Sequence, residues 1–267
     1  ADGSYKLDAA GKPIYDFGNY RPSAAATGNN LLGIADLNTY SSKADALTVR
    51  GNLQFNITEG LKLKSSVNTD YNNRSGLSYT NPIYGSGVTG GGSVSKNASR
   101  TVGYTINNLL DYSFNVANAH HFNVLAGQEV YVLDISSLSG SRSNFGFADK
   151  EEPAAASLLN SFTGSADRYK LASFLGKIDY NFNQRYYFSA SFRRDGSSRF
   201  SPESRWGDFW SLGASWNAKS EKFLHNVSWL NTLTLRTSYG AQGNDNLGSY
   251  YAYQDLYSIY NSLGQAG

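Results

Sequence analysis

The sequence of 267 residues contains no cysteine and no methionine, and charged residues make up only 16% of it. The lack of cysteine excludes disulfides and thiolate metal sites, and it suits an oxidising envelope compartment. Without methionine the chain has no initiator, and it does not open with the basic and apolar regions of a signal peptide. We therefore expect the sequence to be a segment of a longer protein.

Long apolar runs are also missing, and none approaches the roughly 18 residues of a transmembrane helix. A role in a membrane would therefore require a β-barrel. The net charge is only +2 and the basic residues are scattered, which argues against a nucleic-acid partner. His120 and His121 are adjacent and would point to opposite faces of a strand, so they cannot share a metal ion. We predict no metal site, no cofactor and no catalytic residue, and hence no enzyme.

Alternation of apolar and polar residues is the strongest pattern in the chain. In Tyr186, Phe188 and Ala190 every second residue is apolar, whereas the residues between them are more polar, as in a strand with one apolar and one polar face. The pattern recurs about eight times and predicts an antiparallel all-β fold. The predicted strands lie within residues 46–57, 61–71, 102–116, 122–132, 174–182, 186–193, 210–216 and 233–239.

The connections between these strands alternate in length. Thr58–Gly60 forms a tight turn, whereas Asn72–Arg100 and Asp134–Asp167 read as long loops. Strands of about 10 to 13 residues with alternating short and long connections are typical of transmembrane β-barrels. We predict an extracellular loop over residues 1–43, barrel strands with short periplasmic turns and long extracellular loops over 44–240, and an extracellular loop over 241–267. A soluble β-sandwich usually has shorter strands.

Aromatic residues lie on the apolar faces, close to the short turns. Such rings would form a belt at one level, as at the boundary of a lipid bilayer. In a sandwich they would instead be core residues. The residues of the predicted belt are Phe55, Tyr112, Phe114, Phe122, Tyr180, Phe182, Tyr186, Phe188 and Trp216.

The charged residues decide which face meets lipid. Arg50, Lys62 and Lys64 on a lipid-facing surface would together cost about 6 to 12 kcal/mol near the bilayer midplane. That cost is comparable with the stability of a whole domain. We therefore predict that the polar face lines a hydrated interior, with the lumen-lining residues Arg50, Lys62, Lys64, Asp70, Asp111, Glu129, Lys177, Asp179 and Arg236.

A longer motif follows the alternating pattern. R-x-D-G-S-S-R-F begins at Arg193, R-W-G begins at Arg205, L-x-L-R-x-S-Y-G begins at Leu233, and G-N begins at Gly243. Trp216 ends a strand between these parts, and an acidic-x-Phe link follows at Glu221 and Phe223. Together they resemble the SusC/RagA family of TonB-dependent outer-membrane transporters. One departure is Trp210, where the family pattern has proline.

The resemblance implies a wide barrel of about 22 strands filled by an N-terminal plug, of which this chain would be a middle portion. It also implies the outer membrane of a Gram-negative, Bacteroidota-like bacterium. The implied function is import of oligosaccharides or peptides. The implied partners are a SusD-like surface lipoprotein, outer-membrane lipid, and the TonB complex, reached through an N-terminal part outside this chain.

Two alternatives remain open from the sequence: a passive porin or adhesin barrel, and a soluble β-sandwich that binds glycans. Loop and lumen aromatics could stack on sugar rings, and the candidate substrate contacts are Tyr79, Tyr84 and Trp206. The arginine-rich loop between Arg193 and Asp208 has two interpretations. It is either a ligand clamp or an ion-paired loop that packs against its neighbours, and we favour the second.

Overall fold

The structure, a computed structural model, describes residues 6–15 and 30–257. Within these ranges, two short helices, α1 (Leu31–Leu37) and α2 (Lys222–His225), accompany eight strands. Single 3₁₀ turns occupy Gly85–Gly87, Pro153–Ala155 and Ala218–Ser220. The strands are β1 (Thr39–Thr58), β2 (Leu61–Thr80), β3 (Ser93–Val116), β4 (His120–Phe145), β5 (Ala156–Phe182), β6 (Tyr186–Ser197), β7 (Trp206–Asn217) and β8 (Thr234–Ala241).

All eight strands form one sheet in the order in which they occur in the chain. Each strand pairs with its neighbours in sequence, and β1 and β8 are the two edges of the described sheet. The register of β5 through β8 is antiparallel throughout. The predicted all-β fold, a segment of about eight antiparallel strands of a barrel, is therefore confirmed.

Tight turns join β1 to β2 and β5 to β6. Gly60 has a φ of 79°, and a Cβ there would lie 2.1 Å from the carbonyl oxygen of Ser113, so this position requires glycine. Asn183 and Gln184 have φ values of 51° and 57°, the left-handed pair that a type I′ hairpin needs. The Arg185 N–H closes that turn with a 3.0 Å bond to the Phe182 carbonyl.

The first five strands are longer than the sequence predicts. They have 20 to 27 residues each, and the ranges predicted as long loops are largely the far halves of β2, β3, β4 and β5. In these halves serine, glycine and asparagine dominate, so the apolar alternation that marks a strand is lost. The connections themselves are shorter, over residues 81–92 and 146–155.

Residues 31–43, which fall in the first predicted loop, contain α1 and the start of β1. The side chain of Asn30 caps α1 by accepting hydrogen bonds from the N–H groups of Leu32 and Gly33. In the predicted loop at 241–267, β8 ends at Ala241 and no further strand follows among the described residues.

The chain divides into two units. One comprises Ala1–Leu47, Tyr71–Thr101 and Ile135–Ala166, and the other comprises Thr48–Asp70, Val102–Asp134 and Asp167–Gly267. In the described part of the chain few apolar side chains are buried. These side chains are Tyr79, Val94, Val132, Phe145, Ala156, Tyr169 and Ala218. A two-layer sandwich, by contrast, needs a core of buried apolar side chains between its sheets.

Candidate functional site on the polar face of the sheet

The register of β5 to β8 separates two faces. Ile178 of β5 lies opposite Ala190, which lies opposite Leu212, so these apolar side chains share one face. One residue along, Asp179 pairs with Ser189 on the other face. We call the first the apolar face and the second the polar face.

The apolar face is exposed in the second unit. Leu212 is 56% exposed and Tyr239 is 76% exposed, although both lie in the middle of paired strands. Exposed apolar surface of this extent marks a surface that meets lipid or another protein.

Aromatic rings form a stacked row across β3 to β6, near the short turns. The ring of Phe122 lies 5.0 Å from that of Phe114 and 4.8 Å from that of Tyr180, measured between centroids. Tyr112 extends the row at 5.0 Å from Phe114, and Phe188 extends it at 6.2 Å from Tyr180. The rings of the predicted belt on these strands thus lie together on the apolar face.

Glu221 holds the polar ends of two of these aromatic residues. Its carboxylate accepts a 2.5 Å bond from the Tyr186 hydroxyl and a 3.2 Å bond from the Trp216 indole N–H. Tyr186 and Trp216 pair directly across β6 and β7. The hydrogen bond from Tyr186, then that from Trp216, and the nearby charge of Arg185 hold the pKa of Glu221 below its usual value. This gives the acidic residue of the link a structural role.

On β1 and β2 the polar face carries a hydrogen-bonded ladder. Thr48 donates to Asp70 at 2.6 Å, and Arg50 donates through Nε to Asn68 at 3.0 Å. The amide of Asn68 in turn donates to Asp70 at 2.9 Å. The predicted residues Arg50 and Asp70 therefore belong to one network.

Further along the polar face, Lys64 of β2 forms a 2.7 Å ion pair with Asp111 of β3. Asn123 of β4 donates to the second oxygen of Asp111 at 2.9 Å. Lys177 pairs with Asp179 on β5 at 2.8 Å. The charges on this face therefore compensate one another within short reach.

Arg193 joins three strands on the polar face. Its guanidinium donates to Glu129 of β4 at 2.9 Å, to Ser173 of β5 at 2.8 Å, and to Asp195 of its own strand at 2.6 Å. Ser173 is fully buried beneath this network. The first arginine of the loop motif thus lies in an ion-paired network, as the second interpretation expects.

Only some of the nine predicted lumen-lining residues contact one another. The structure joins Lys64 to Asp111 and Lys177 to Asp179, and it connects Glu129 to a residue outside the predicted set. Arg236 of β8 lies on the polar face opposite Ser215, and Lys62 lies two residues before Lys64 on the same face of β2. That these residues line a passage remains a prediction.

A hollow of about 700 Å³ lies on β3 to β8 at the end of the sheet with the short turns. Small residues make room for it, because Gly213, Ser189 and Ser238 lie side by side on adjacent strands. Asp179 and Arg236 supply opposite charges at its wall. The hollow has room for a polar chain. Its serine hydroxyls, the carboxylate of Asp179 and the guanidinium of Arg236 can form hydrogen bonds with it.

The three candidate substrate contacts lie in different environments. Tyr79 is 2% exposed, and its hydroxyl donates to the carbonyl of Ala148 at 2.7 Å, so it anchors a connection and has no free ring face for a ligand. Trp206 pairs with Gly196 on the apolar face, which turns it away from the hollow. Tyr84 is half-buried and precedes the turn at Gly85–Gly87.

The motif loop is fastened to the segment after β8, which the sequence did not predict. The guanidinium of Arg199 lies between the rings of Tyr169 and Tyr250, at 4.8 and 4.9 Å from their centroids. It also donates to the backbone carbonyl of Asp245 at 3.0 Å and to the side chain of Asn246 at 3.1 Å. Arg199 is therefore a structural link between two segments 46 residues apart.

Asp245, within the G-N-D sequence, receives two further hydrogen bonds, from the hydroxyls of Tyr169 and Ser197. Burial of Asp245 opposes its ionisation, but these two bonds and the charge of Arg199 outweigh it and hold the pKa of Asp245 below its usual value. A single aspartate between two asparagines carries no local signal of this role.

Among the residues that the structure describes, no group of three or more histidine or acidic side chains is placed to hold a metal ion. Neither helix in the described ranges qualifies as a membrane span, since α1 has seven residues and α2 has four.

Comparison with known proteins gives concordant matches in sequence and structure, although no protein-family model matches the chain. The TonB-dependent receptor SusC of Bacteroides thetaiotaomicron is 42% identical over 115 residues, which is 43% of this chain and 11% of that protein. A TonB-dependent receptor of Formosa agariphila is 26% identical over 274 residues, covering 99% of this chain and 25% of the relative.

Among solved structures, the RagAB peptide transporter matches with a TM-score of 0.82 and 26% identity, over 96% of this chain and 28% of the other. The RagAB peptide importer in its open-open state matches with a TM-score of 0.79, over 97% of this chain. The chain thus spans about a quarter or less of the curated relatives that it matches.

Proposed function

We propose that this chain, which is related to the SusC/RagA family of TonB-dependent receptors over nearly its whole length, forms part of the wall of an outer-membrane nutrient importer. The observation that carries the proposal is the contrast between the two faces of one sheet. Exposed leucine, phenylalanine and tyrosine side chains cover the apolar face, and ion-paired and hydroxyl side chains cover the polar face.

The apolar face meets lipid and the polar face meets water. A strand that alternates in this way satisfies both solvents only in a closed barrel, because an open sheet edge cannot remain unpaired in a bilayer. The two edges of the described sheet, β1 and β8, would pair with strands outside the described residues. The chain then contributes eight strands to a wider barrel.

Transport through such a wall needs no catalytic residue. The substrate passes along the polar face, where Ser189, Ser211 and Ser238 offer neutral hydrogen-bonding groups and no single charge dominates. As the family resemblance implies, entry would require the TonB complex to displace a plug outside this chain.

Oligosaccharides and peptides are the substrates that this surface fits, because both are polar, largely uncharged chains rich in hydrogen-bonding groups. The similar proteins support this: the solved structures reported above are those of a peptide transporter. A SusD-like lipoprotein would capture the substrate at the end of the strands with the long connections. Of the three candidate contacts Tyr84 remains, because Tyr79 is buried and Trp206 lies on the apolar face.

The experiment is to locate the intact protein and measure its uptake. We expect it in the outer-membrane fraction, where detergent is needed to extract it, and co-purification with a surface lipoprotein. Deletion of its gene should abolish growth on one class of oligosaccharide or peptide, and loss of TonB should have the same effect. Recovery of the intact protein in a detergent-free soluble fraction would refute the proposal. Uptake that continues without TonB would indicate a passive porin.

A further inference from the structure

We propose that the end of the apolar face remote from the short turns binds the phosphates of an anionic membrane lipid, through Arg194 and Lys170 on either side of Trp206. The inference rests on the proposed function, since it requires the apolar face to meet lipid. It assigns to Trp206 a lipid contact in place of a substrate contact.

The three side chains share the apolar face. Arg194 pairs with Phe174 on β5 and with Asp208 on β7, and Trp206 pairs with Gly196. Gly196 in turn pairs with Ala172, two residues after Lys170 on β5. Since residues two apart on a strand point to the same side, Lys170 belongs to this face. Along the strands the order is Arg194, Trp206, Lys170.

The position of these residues matches the height of a bilayer. Tyr186 of the predicted aromatic belt lies eight residues before Arg194, and Phe182, which pairs with Tyr186, lies twelve residues after Lys170. At a rise of about 3.3 Å per residue and a strand tilt of about 40°, these separations correspond to heights of about 20 and 30 Å. The apolar band of a barrel is about 25 Å tall. The two cations therefore bracket the level where acyl chains give way to headgroups.

Trp206 forms a flat platform between them. A Cβ on Gly196 would lie 2.9 Å from three atoms of the indole, so glycine is what allows the ring to lie against the strand. The ring is 28° from parallel with that of Phe174, at 6.1 Å between centroids, and Arg194 lies 5.8 Å from the indole centroid. An indole at the boundary of lipid and water is in its preferred environment.

The charges leave this patch positive. Arg194 lies 3.6 Å from Asp208, but both side chains are about half exposed, and such pairs contribute little. The ammonium of Lys170 has no carboxylate partner within residues 6–15 and 30–257, whereas Arg168 on the same face is held by two bonds to Asp134. Two cations against one carboxylate favour an anion, and phosphate is the anion that lipids supply at this level.

The test uses the intact protein in detergent, with diphosphorylated lipid A and its fully dephosphorylated form as probes in native mass spectrometry. We expect binding of the diphosphorylated form only, weakened at least tenfold by the double substitution Lys170→Gln and Arg194→Gln. A control that removes two other exposed cations, Lys12→Gln and Lys150→Gln, should bind as the unsubstituted protein does.

Two results would overturn the inference: equal binding of both lipid forms, or a double variant that binds as tightly as the control. Competition by inorganic phosphate at the concentration of the lipid would identify a free-anion site and would also contradict it. Failure of the proposed function would be seen in a different experiment, the cell fractionation, in which the protein would be recovered in the soluble fraction without detergent.

Discussion

The hydroxyl of Tyr169 donates a 2.5 Å hydrogen bond to the carboxylate of Asp245, although the two residues are 76 positions apart in the chain. Tyr169 is buried on β5, and Asp245 lies in the segment that follows β8. With Ser197 and Arg199 they fasten that segment to the motif loop. The motif loop is therefore a structural clasp, and two of its arginines, Arg193 and Arg199, are held by hydrogen bonds within the protein.

Replacing Tyr169 by phenylalanine should open the clasp. A hydrogen bond to a charged group contributes about 1.5 to 3 kcal/mol, so local opening of residues 242–251 should increase about tenfold or more. Limited proteolysis of the intact protein would report this as faster cleavage in the segment. Tyr253→Phe is the matched control, because the hydroxyl of Tyr253 is bonded only to the neighbouring Gln254 among the described contacts. Equal cleavage in the two variants would contradict the clasp.

The clasp should weaken in acid. The pKa of Asp245 is lower in the folded protein than its unfolded value of about 3.9, so its contribution is fully present above that value. It is lost as the pH falls through the folded pKa. Hydrogen exchange of residues 242–251 should therefore show protection that is constant at neutral pH and declines below about pH 4. In Asp245→Asn the protection should be lower at pH 7 and independent of pH in that window.

Removing the carboxylate of Glu221 should destabilise the turn end of β6 and β7. The Tyr186 hydroxyl and the Trp216 indole N–H would both lose their acceptor. We expect Glu221→Ala to unfold at a lower temperature, measured from the gel mobility of heated samples in detergent. Glu203→Ala, at an exposed acid of the motif loop, should leave the transition unchanged. If both variants unfold at the same temperature, the acidic link has no structural role.

Glycine should be required at the turn position Gly60 and replaceable at Gly51 on β1. Gly60→Ala places a Cβ 2.1 Å from the Ser113 carbonyl oxygen at a φ of 79°. We expect it to lower the free energy of unfolding by about 1 to 3 kcal/mol. Gly51→Ala on β1 meets no atom within 4 Å and should be nearly neutral. Refolding yield into detergent micelles compares the two. A well-folded Gly60→Ala protein would contradict the close approach.

The sequence predicts the strands near the short turns because one of their faces is apolar. Phe188 and Ser189 point to opposite sides in the pattern and in the structure alike. The far halves of β4 and β5 escape prediction, since residues such as Ser137 and Ser165 face each other there through hydroxyls. Serine and glycine in series resemble a loop when no apolar alternation accompanies them.

In the candidate site, too, some residues could be predicted from the sequence and others could not. Charges on the polar face follow from alternation, so residues such as Lys64 and Asp111 could be placed from the sequence alone. The face of a residue at the start of a strand could not be predicted, because it depends on the register. Trp206, the first residue of β7, lies on the apolar face because it pairs with Gly196. Tyr169 and Asp245 meet through long-range folding, which no local pattern encodes.

The most direct test of the barrel-wall proposal is to measure whether water or lipid meets each face of one strand. The 267 residues contain no cysteine, so single cysteines can be introduced at the neighbouring positions Ser211 and Leu212 of β7, in an intact protein from which any cysteine elsewhere has been removed. In outer-membrane vesicles, a water-soluble maleimide should label Ser211→Cys, and a lipid-dissolved quencher should reach a fluorophore attached at Leu212→Cys. Water-phase labelling of Leu212→Cys equal to that of Ser211→Cys would show that the apolar face does not meet lipid.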